Sequence, residues 1–140
     1  MQKEITTEVQ IAATSSQVWE VLTDFDSYSE WNPFIKFITG EVKVGNIIKA
    51  ELGGMTFKPE ALIYEKNKEF KWIGKLLFKG LFDGEHRFQL MDNSDGTITF
   101  IQSEKFSGLL VRLFAKKLDR ETKGDFVAMN EALKKRVEGS

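Results

Sequence analysis

Residues 80–108, GLFDGEHRFQLMDNSDGTITFIQSEKFSG, decide how this chain folds. They read as two strands and a turn. Side chains on a strand alternate between faces, so Phe82, His86, Phe88 and Leu90 share one face while Asp83, Glu85, Arg87 and Gln89 share the other. On the return, Ile98, Phe100, Gln102, Glu104 and Phe106 lie on one face. Asn93-Ser94-Asp95-Gly96 is dense in turn formers, and closing it by pairing Met91 with Thr97 sets the register. Leu90 then faces Ile98, Phe88 faces Phe100, His86 faces Gln102, and Glu104 lies near Gly84. The result is an apolar wall with a line of polar groups at one end, and it carries the chain's single histidine. Polar groups facing a core need partners or an enclosed polar space. The pattern points to a pocket without naming its contents.

Upstream, residues 3–12, KEITTEVQIA, alternate with Ile5, Val9 and Ile11 on one face and read as a first strand. Thr14-Ser15-Ser16-Gln17 has the form of a capping box, which predicts a helix over about 15–24 burying Val18, Trp19, Val21 and Leu22. Asp26 is placed to cap a second short helix, SYSEW, which Asn32-Pro33 ends. Strands over Phe37–Val44, Ile47–Leu52, Met55–Lys66 and Glu69–Leu77 then precede the hairpin, turning at Gly45-Asn46, Gly53-Gly54 and Asn67-Lys68. Pairing Lys66 with Glu69 sets Ile63 opposite Trp72 and Ala61 opposite Gly74. Ile48, Ala50, Phe57, Ala61, Ile63, Trp72 and Phe88 then form one concave surface, and Lys58, Glu60, Lys71, Lys75, Glu85 and Arg87 face water.

Beyond Gly108 the period lengthens. Leu110, Phe114, Leu118, Phe126, Met129, Leu133 and Val137 recur mostly at three- and four-residue steps. A helix from about 109 to 137 is ~43 Å long, against a radius of gyration of ~14 Å for a domain of this size. Thr122 and Gly124 interrupt the stripe and predict a bend, or a break in pairing with the sheet. The fold class is therefore α+β: a seven-stranded curved antiparallel sheet around one long C-terminal helix, with two short helices after the first strand, in a single domain over 1–140. Such a sheet cannot fill its own concavity with backbone. The space is packed by large side chains or left as a cavity.

Composition excludes several classes. With 140 residues, 41% hydrophobic and 29% charged, the chain has the balance of a soluble globular domain. A net charge of −1 argues against nucleic acid as a partner. The absence of cysteine removes disulfides, thiolate metal sites and a cysteine nucleophile. One histidine, and carboxylates without calcium or zinc spacing, lead us to expect no metal and no cofactor. Gly53-Gly54 precedes no helix that could make a phosphate loop, and no G-x-S-x-G elbow presents a serine to His86. MQKEITTEV lacks an apolar core of signal-peptide length and no run reaches a membrane span, so a cytoplasmic location without integral membrane association is the default expectation. Monomer and dimer are equally compatible with the pattern.

Three stretches carry a resemblance: SSQVWEVLTDFDSYSEWNPF (15–34), FDGEHRFQL (82–90), and SEKFSGLL (103–110) with the closing amphipathic helix. They resemble the START-like superfamily of helix-grip proteins, above all its polyketide cyclase/dehydrase and lipid-transport branch, often labelled SRPBCC. The first stretch is similar to that branch's V-W-x-x-L-x-D-F-x-x-Y-x-x-W-N-P pattern, present as Val18-Trp19, Leu22, Asp24-Phe25, Tyr28 and Trp31-Asn32-Pro33. The resemblance implies a helix-grip fold over nearly the whole chain. Its members include aromatase/cyclases, carriers of hydrophobic ligands and stress-related binding proteins, so a reaction does not follow from fold alone.

The reading these features support is a protein that binds a hydrophobic small molecule, lipid-like or aromatic, between sheet and long helix. Phe57, Ala61, Ile63, Trp72, His86, Phe88, Phe100, Gln102, Glu104, Phe114 and Leu118 are the candidate ligand-binding residues. His86 either orients a ligand carbonyl and moves protons, or is a buried histidine satisfied by Gln102 or a backbone carbonyl. Glu104 needs a partner in His86, Arg112 or water, or a place at an open rim. For any single aromatic, plain core packing is the simpler reading. Two alternatives stand beside this: a cyclase/dehydratase-type enzyme using His86 or Glu104, and a chaperone-coactivator-like interaction module using the outer sheet or long helix.

Overall fold

The structure, a computed structural model, describes residues 2–52, 54–75 and 79–139. The chain begins with β1 (Gln2–Ile11) and two short helices, α1 (Ser15–Thr23) and α2 (Tyr28–Trp31). Seven strands follow: β2 (Ile35–Thr39), β3 (Lys49–Leu52), β4 (Met55–Phe57), β5 (Glu60–Glu65), β6 (Glu69–Lys75), β7 (Asp83–Asp92) and β8 (Ile98–Ser107). The helix that closes the chain comprises α3 (Val111–Lys117), a π-helical turn (Leu118–Thr122) and α4 (Lys123–Glu138). This is the expected α+β arrangement of a long C-terminal helix on an antiparallel sheet.

Local chemistry explains the first elements. Thr14 Oγ1 accepts from the Gln17 backbone N at 3.2 Å, and Gln17 Oε1 accepts from the Thr14 N at 2.9 Å, a complete capping box. α1 buries Val18, Trp19 and Leu22. Asp26 does not cap α2 as its position predicts; it lies in a 3-10 turn (Phe25–Ser27) that runs directly into the helix, which no side chain caps. Asn32 Oδ1 accepts from the backbone N of Phe34 at 2.9 Å and of Ile35 at 2.8 Å. Those two bonds flank Pro33, which has no N–H to give, and they fix the corner into β2.

Among the described residues the predicted single sheet of seven strands is instead eight strands in two sheets. The larger has the order β1-β8-β7-β6-β5, and the smaller is β2-β3-β4. Pro59 divides the strand expected over 55–66 into β4 and β5, because proline cannot donate to a ladder. The two sheets meet there: Ile48 N donates to Pro59 O and Ala61 N to Asn46 O, both at 2.9 Å. The strand expected at 37–44 is shorter and earlier, at Ile35–Thr39. Positions 53, 76 and 77 of the expected turns and strands lie outside the described residues.

Registers differ from expectation in two informative ways. In the β7–β8 hairpin the turn runs through Asn93–Thr97, with Ser94 at φ 63° and Gly96 at φ 89°, and Asn93 N donates to Thr97 O at 3.1 Å. The last pair is therefore Asp92 with Ile98, Leu90 faces Phe100, Phe88 faces Gln102 and His86 faces Glu104. That slip of two residues preserves which side chains point inward. In the β5–β6 pair a bulge between Ala61 and Ile63 does the opposite. Ala61 faces Trp72 inside, but Ile63 faces Lys71 on the outer surface and Tyr64 takes its place beside Phe70.

The long helix buries Val111, Leu118, Phe126, Met129 and Leu133. Its irregularity is the π turn before Lys123; Gly124 sits inside α4. A π turn takes up one extra residue, and Leu118 at its start and Phe126 beyond it are both buried. The far end of α4 is tied to the end of β1, where Lys134 Nζ donates to Gln10 O at 2.7 Å and Glu138 accepts from Ala12 N at 2.8 Å.

Candidate functional site

The interior divides along the strands. On the inner face of β6 and β7 the cross-strand pairs run Phe70 with Phe88, Trp72 with His86, and Gly74 with Gly84. At the first pair large rings fill the space: the Phe70 and Phe88 centroids lie 4.3 Å apart, and Trp19 and Phe25 close over Phe70 at 6.0 and 5.9 Å. At the last pair there are no side chains. A cavity of about 340 Å³ opens there between the sheet ends and the helix. Its walls are Phe34, Leu52, Phe57, Trp72, Phe106 and Phe114, with Leu118 from the helix and Gly74 and Gly84 exposing bare backbone. A Cβ built on Gly74 meets nothing within 4 Å.

Charged groups also line the cavity: Lys75 at the end of β6, and Lys117, Glu121 and Asp125 of the helix. Burial, and then the neighbouring charge of Glu121, push the Asp125 carboxyl above its ordinary value. Glu104 is different. It is a wall residue whose side chain is 15% exposed, and its Oε1 lies 3.1 Å from Nδ1 of the fully buried His86. His86 Nδ1 nonetheless has no aligned hydrogen bond among the described residues.

Behind His86 runs a buried polar chain whose hydrogen positions are forced by two backbone carbonyls. Thr7 Oγ1 lies 3.1 Å from Gln102 O, which only accepts, so Thr7 donates there. Thr7 therefore accepts from Asn130 Nδ2 at 2.8 Å, and Asn130 turns its Oδ1 to Gln102 Nε2, also at 2.8 Å. The same Gln102 Nε2 reaches Phe126 O at 3.3 Å, a second acceptor that fixes the amide. Gln102 Oε1 then faces His86 Nε2 at 2.8 Å, so Nε2 carries the hydrogen. Four side chains, from β1, β7, β8 and α4, are locked into one arrangement.

The predicted site residues separate accordingly. Phe57, Trp72, Glu104, Phe114 and Leu118 line the cavity. His86, Phe88, Phe100, Gln102 and Ala61 are buried behind its wall, and Ile63 lies on the outer face because of the bulge. His86 thus reaches the cavity only through Glu104, and Glu104 pairs with His86 rather than with Arg112. Sequence reasoning missed Gly74 and Gly84, which make the space, and Phe34, Phe82 and Phe106, which enclose it. Two inward-phase glycines in neighbouring strands were the available signal. A second hollow, at Leu109, Arg112, Leu113 and Lys116, is a shallow surface depression among the described residues. Among the described residues no group of three or more His, Cys, Asp or Glu is arranged to hold a metal, and no helix is long and apolar enough to cross a membrane.

Solved structures share this architecture. A hypothetical protein from Helicobacter pylori superposes with a TM-score of 0.83 at 16% identity, covering 96% of this chain and 88% of that one. An aromatase/cyclase from Streptomyces sp. R1128 gives 0.78 at 14% identity, over 99% of this chain and 94% of that one. A START superfamily protein from Mycobacterium smegmatis gives 0.72 at 20% identity, over 97% of each. At these identities the likeness is one of fold. No curated relative matches the sequence. The family described as polyketide cyclase / dehydrase and lipid transport matches residues 2–138. With the sheet, the closing helix and the cavity between them all in place over that span, the chain belongs to the polyketide cyclase/dehydrase and lipid transport family, whose fold is consistent with holding a hydrophobic ligand.

Proposed function

We propose that this protein binds a hydrophobic small molecule, lipid-like or aromatic, in the cavity between the Gly74–Gly84 wall and the closing helix. The observation that carries the reading is the hollow itself. About 340 Å³ stays open here, between sheet and helix, beside a core otherwise filled by aromatic rings. That is room for on the order of ten waters, and it falls at the small end of the ~300–1,000 Å³ range of ligand pockets. Its walls are mainly apolar, so burial supplies most of the affinity, at about 25 cal/mol per Å² before the costs of association. A cavity not packed by the protein's own side chains also favours this over the interaction-module reading. Any proton-transfer role falls on Glu104, since His86 is fully buried.

Two measurements test this. Native mass spectrometry of protein purified from its own host should show a co-purified small molecule. Titration with the neutral dye N-phenyl-1-naphthylamine should show saturable uptake at one site per chain. If no ligand co-purifies and the dye does not bind, the proposal fails.

A further inference from the structure

We infer that the cavity selects hydrophobic molecules carrying a hydrogen-bond donor, a phenolic or enolic hydroxyl, and that Glu104 Oε2 receives it. The inference rests on the cavity being a ligand site and adds the chemistry that ligand must present. It follows from hydrogen accounting along the buried chain. Nε2 of His86 is committed to donating to Gln102 Oε1. Nδ1 and Glu104 Oε1 lie 3.1 Å apart with no other polar partner for either among the described residues. No aligned hydrogen bond joins them, but the contact turns Oε1 toward the ring and leaves Oε2 on the other side of the carboxyl group. A carboxylate oxygen carries no hydrogen, so Oε2 only accepts.

Oε2 is also where a ligand can reach. It lies over Gly84, so close that a Cβ on that glycine would be 2.1 Å away, and both Gly84 and Glu104 line the cavity. The remaining polar lining residues, Lys75, Lys117, Glu121, Thr122 and Asp125, come from the end of β6 and from the helix across the cavity. Glu104 is therefore the acceptor of the sheet wall, whose other charged lining side chain, Lys75, only donates. Its acceptor character is set from behind by His86, a positioning residue that touches no ligand.

The test compares 2-naphthol with 2-methoxynaphthalene, which share an apolar body and differ in the donor, by calorimetry or dye displacement. The wild-type protein should bind the naphthol roughly tenfold or more tightly than the ether, the value of a hydrogen bond to a charged acceptor. Glu104→Leu should bring the two affinities to within about threefold. Glu104→Gln should keep the preference, because its amide nitrogen can donate to His86 Nδ1 and leave an oxygen facing the cavity. Gly84→Ala should lose it with Glu104 still present, since the new Cβ drives the carboxyl away, and this variant decides the matter if Glu104→Leu does not fold. Equal affinity of wild type for both probes overturns donor selection and leaves the cavity reading standing, as does a preference that survives Glu104→Leu. Failure of both probes to bind removes the cavity reading and the inference with it.

Discussion

Gly74 and Gly84 are cross-strand partners on the inner face of β6 and β7, and the wall they share carries no side chains. They differ in what stands over them. Above Gly74 is open space, while above Gly84 is the Glu104 carboxyl. The cavity therefore has an empty half and a polar half, set by two residues of the same type.

The first prediction uses the empty half. Gly74→Val should fold normally, with thermal stability unchanged or raised by up to about 1 kcal/mol, because a β-branched residue suits a strand interior better than glycine. It should also sharply reduce N-phenyl-1-naphthylamine uptake by occupying the space. Thermal denaturation and dye titration on one preparation check both parts. A variant that binds dye as well as wild type would place the ligand elsewhere. Stability gained as binding is lost is the mark of a site kept open for function.

The buried chain makes a second prediction about cooperativity. Gln102→Leu leaves the His86 Nε2 hydrogen and Asn130 Oδ1 without partners in a dry interior, and should cost about 2–4 kcal/mol in urea unfolding. Thr7→Val, at the other end, should cost about 1–2 kcal/mol. Because both belong to one connected set, the double variant should lose clearly less than the sum. Strictly additive costs would show that the chain does not act as a unit.

These residues also show what can be read from a sequence of this kind. Element order and type follow from hydrophobic period, since a change from two to about 3.6 after Gly108 marks the passage from sheet to helix. Inward placement of His86, Gln102 and Glu104 was legible too, because a two-residue slip at the Asn93–Thr97 turn leaves side-chain parity intact. What alternation cannot see is a change of parity within a strand. The bulge between Ala61 and Ile63 adds one residue and exchanges Ile63 for Tyr64, and Pro59 ends a ladder that the apolar pattern alone would continue. The cavity was harder still, because its cause is the absence of side chains at Gly74 and Gly84. Pattern reading weighs what residues present, and glycine presents nothing. The diagonal contact of Glu104 with Gly84 depends on the register of β7 against β8, which only the turn geometry fixes.

The last prediction concerns the helix-to-sheet corner. Tyr28 is fully buried, and its hydroxyl donates to the Leu22 carbonyl, pinning the 3-10 turn and α2 onto α1. Burial, reinforced by Tyr64 and Asp24, holds its phenol well above the ordinary value near 10. An unfolded chain ionises this group near pH 10, whereas the folded chain keeps it neutral. The stabilisation is therefore complete below pH 10 and is lost as pH rises beyond it, with a slope of up to about 1.4 kcal/mol per pH unit. Tyr28→Phe removes both the hydrogen bond and the titration. At pH 8 it should be less stable than wild type by about 1 kcal/mol. Between pH 9.5 and 11 that gap should close or reverse, because wild type bears a penalty that phenylalanine does not. Lysines and Tyr64 are common to both proteins and cancel in the comparison. Urea unfolding of the pair at pH 8, 9.5 and 11 measures it, and a gap that stays constant across that range would show that the Tyr28 phenol does not resist ionisation in the folded state.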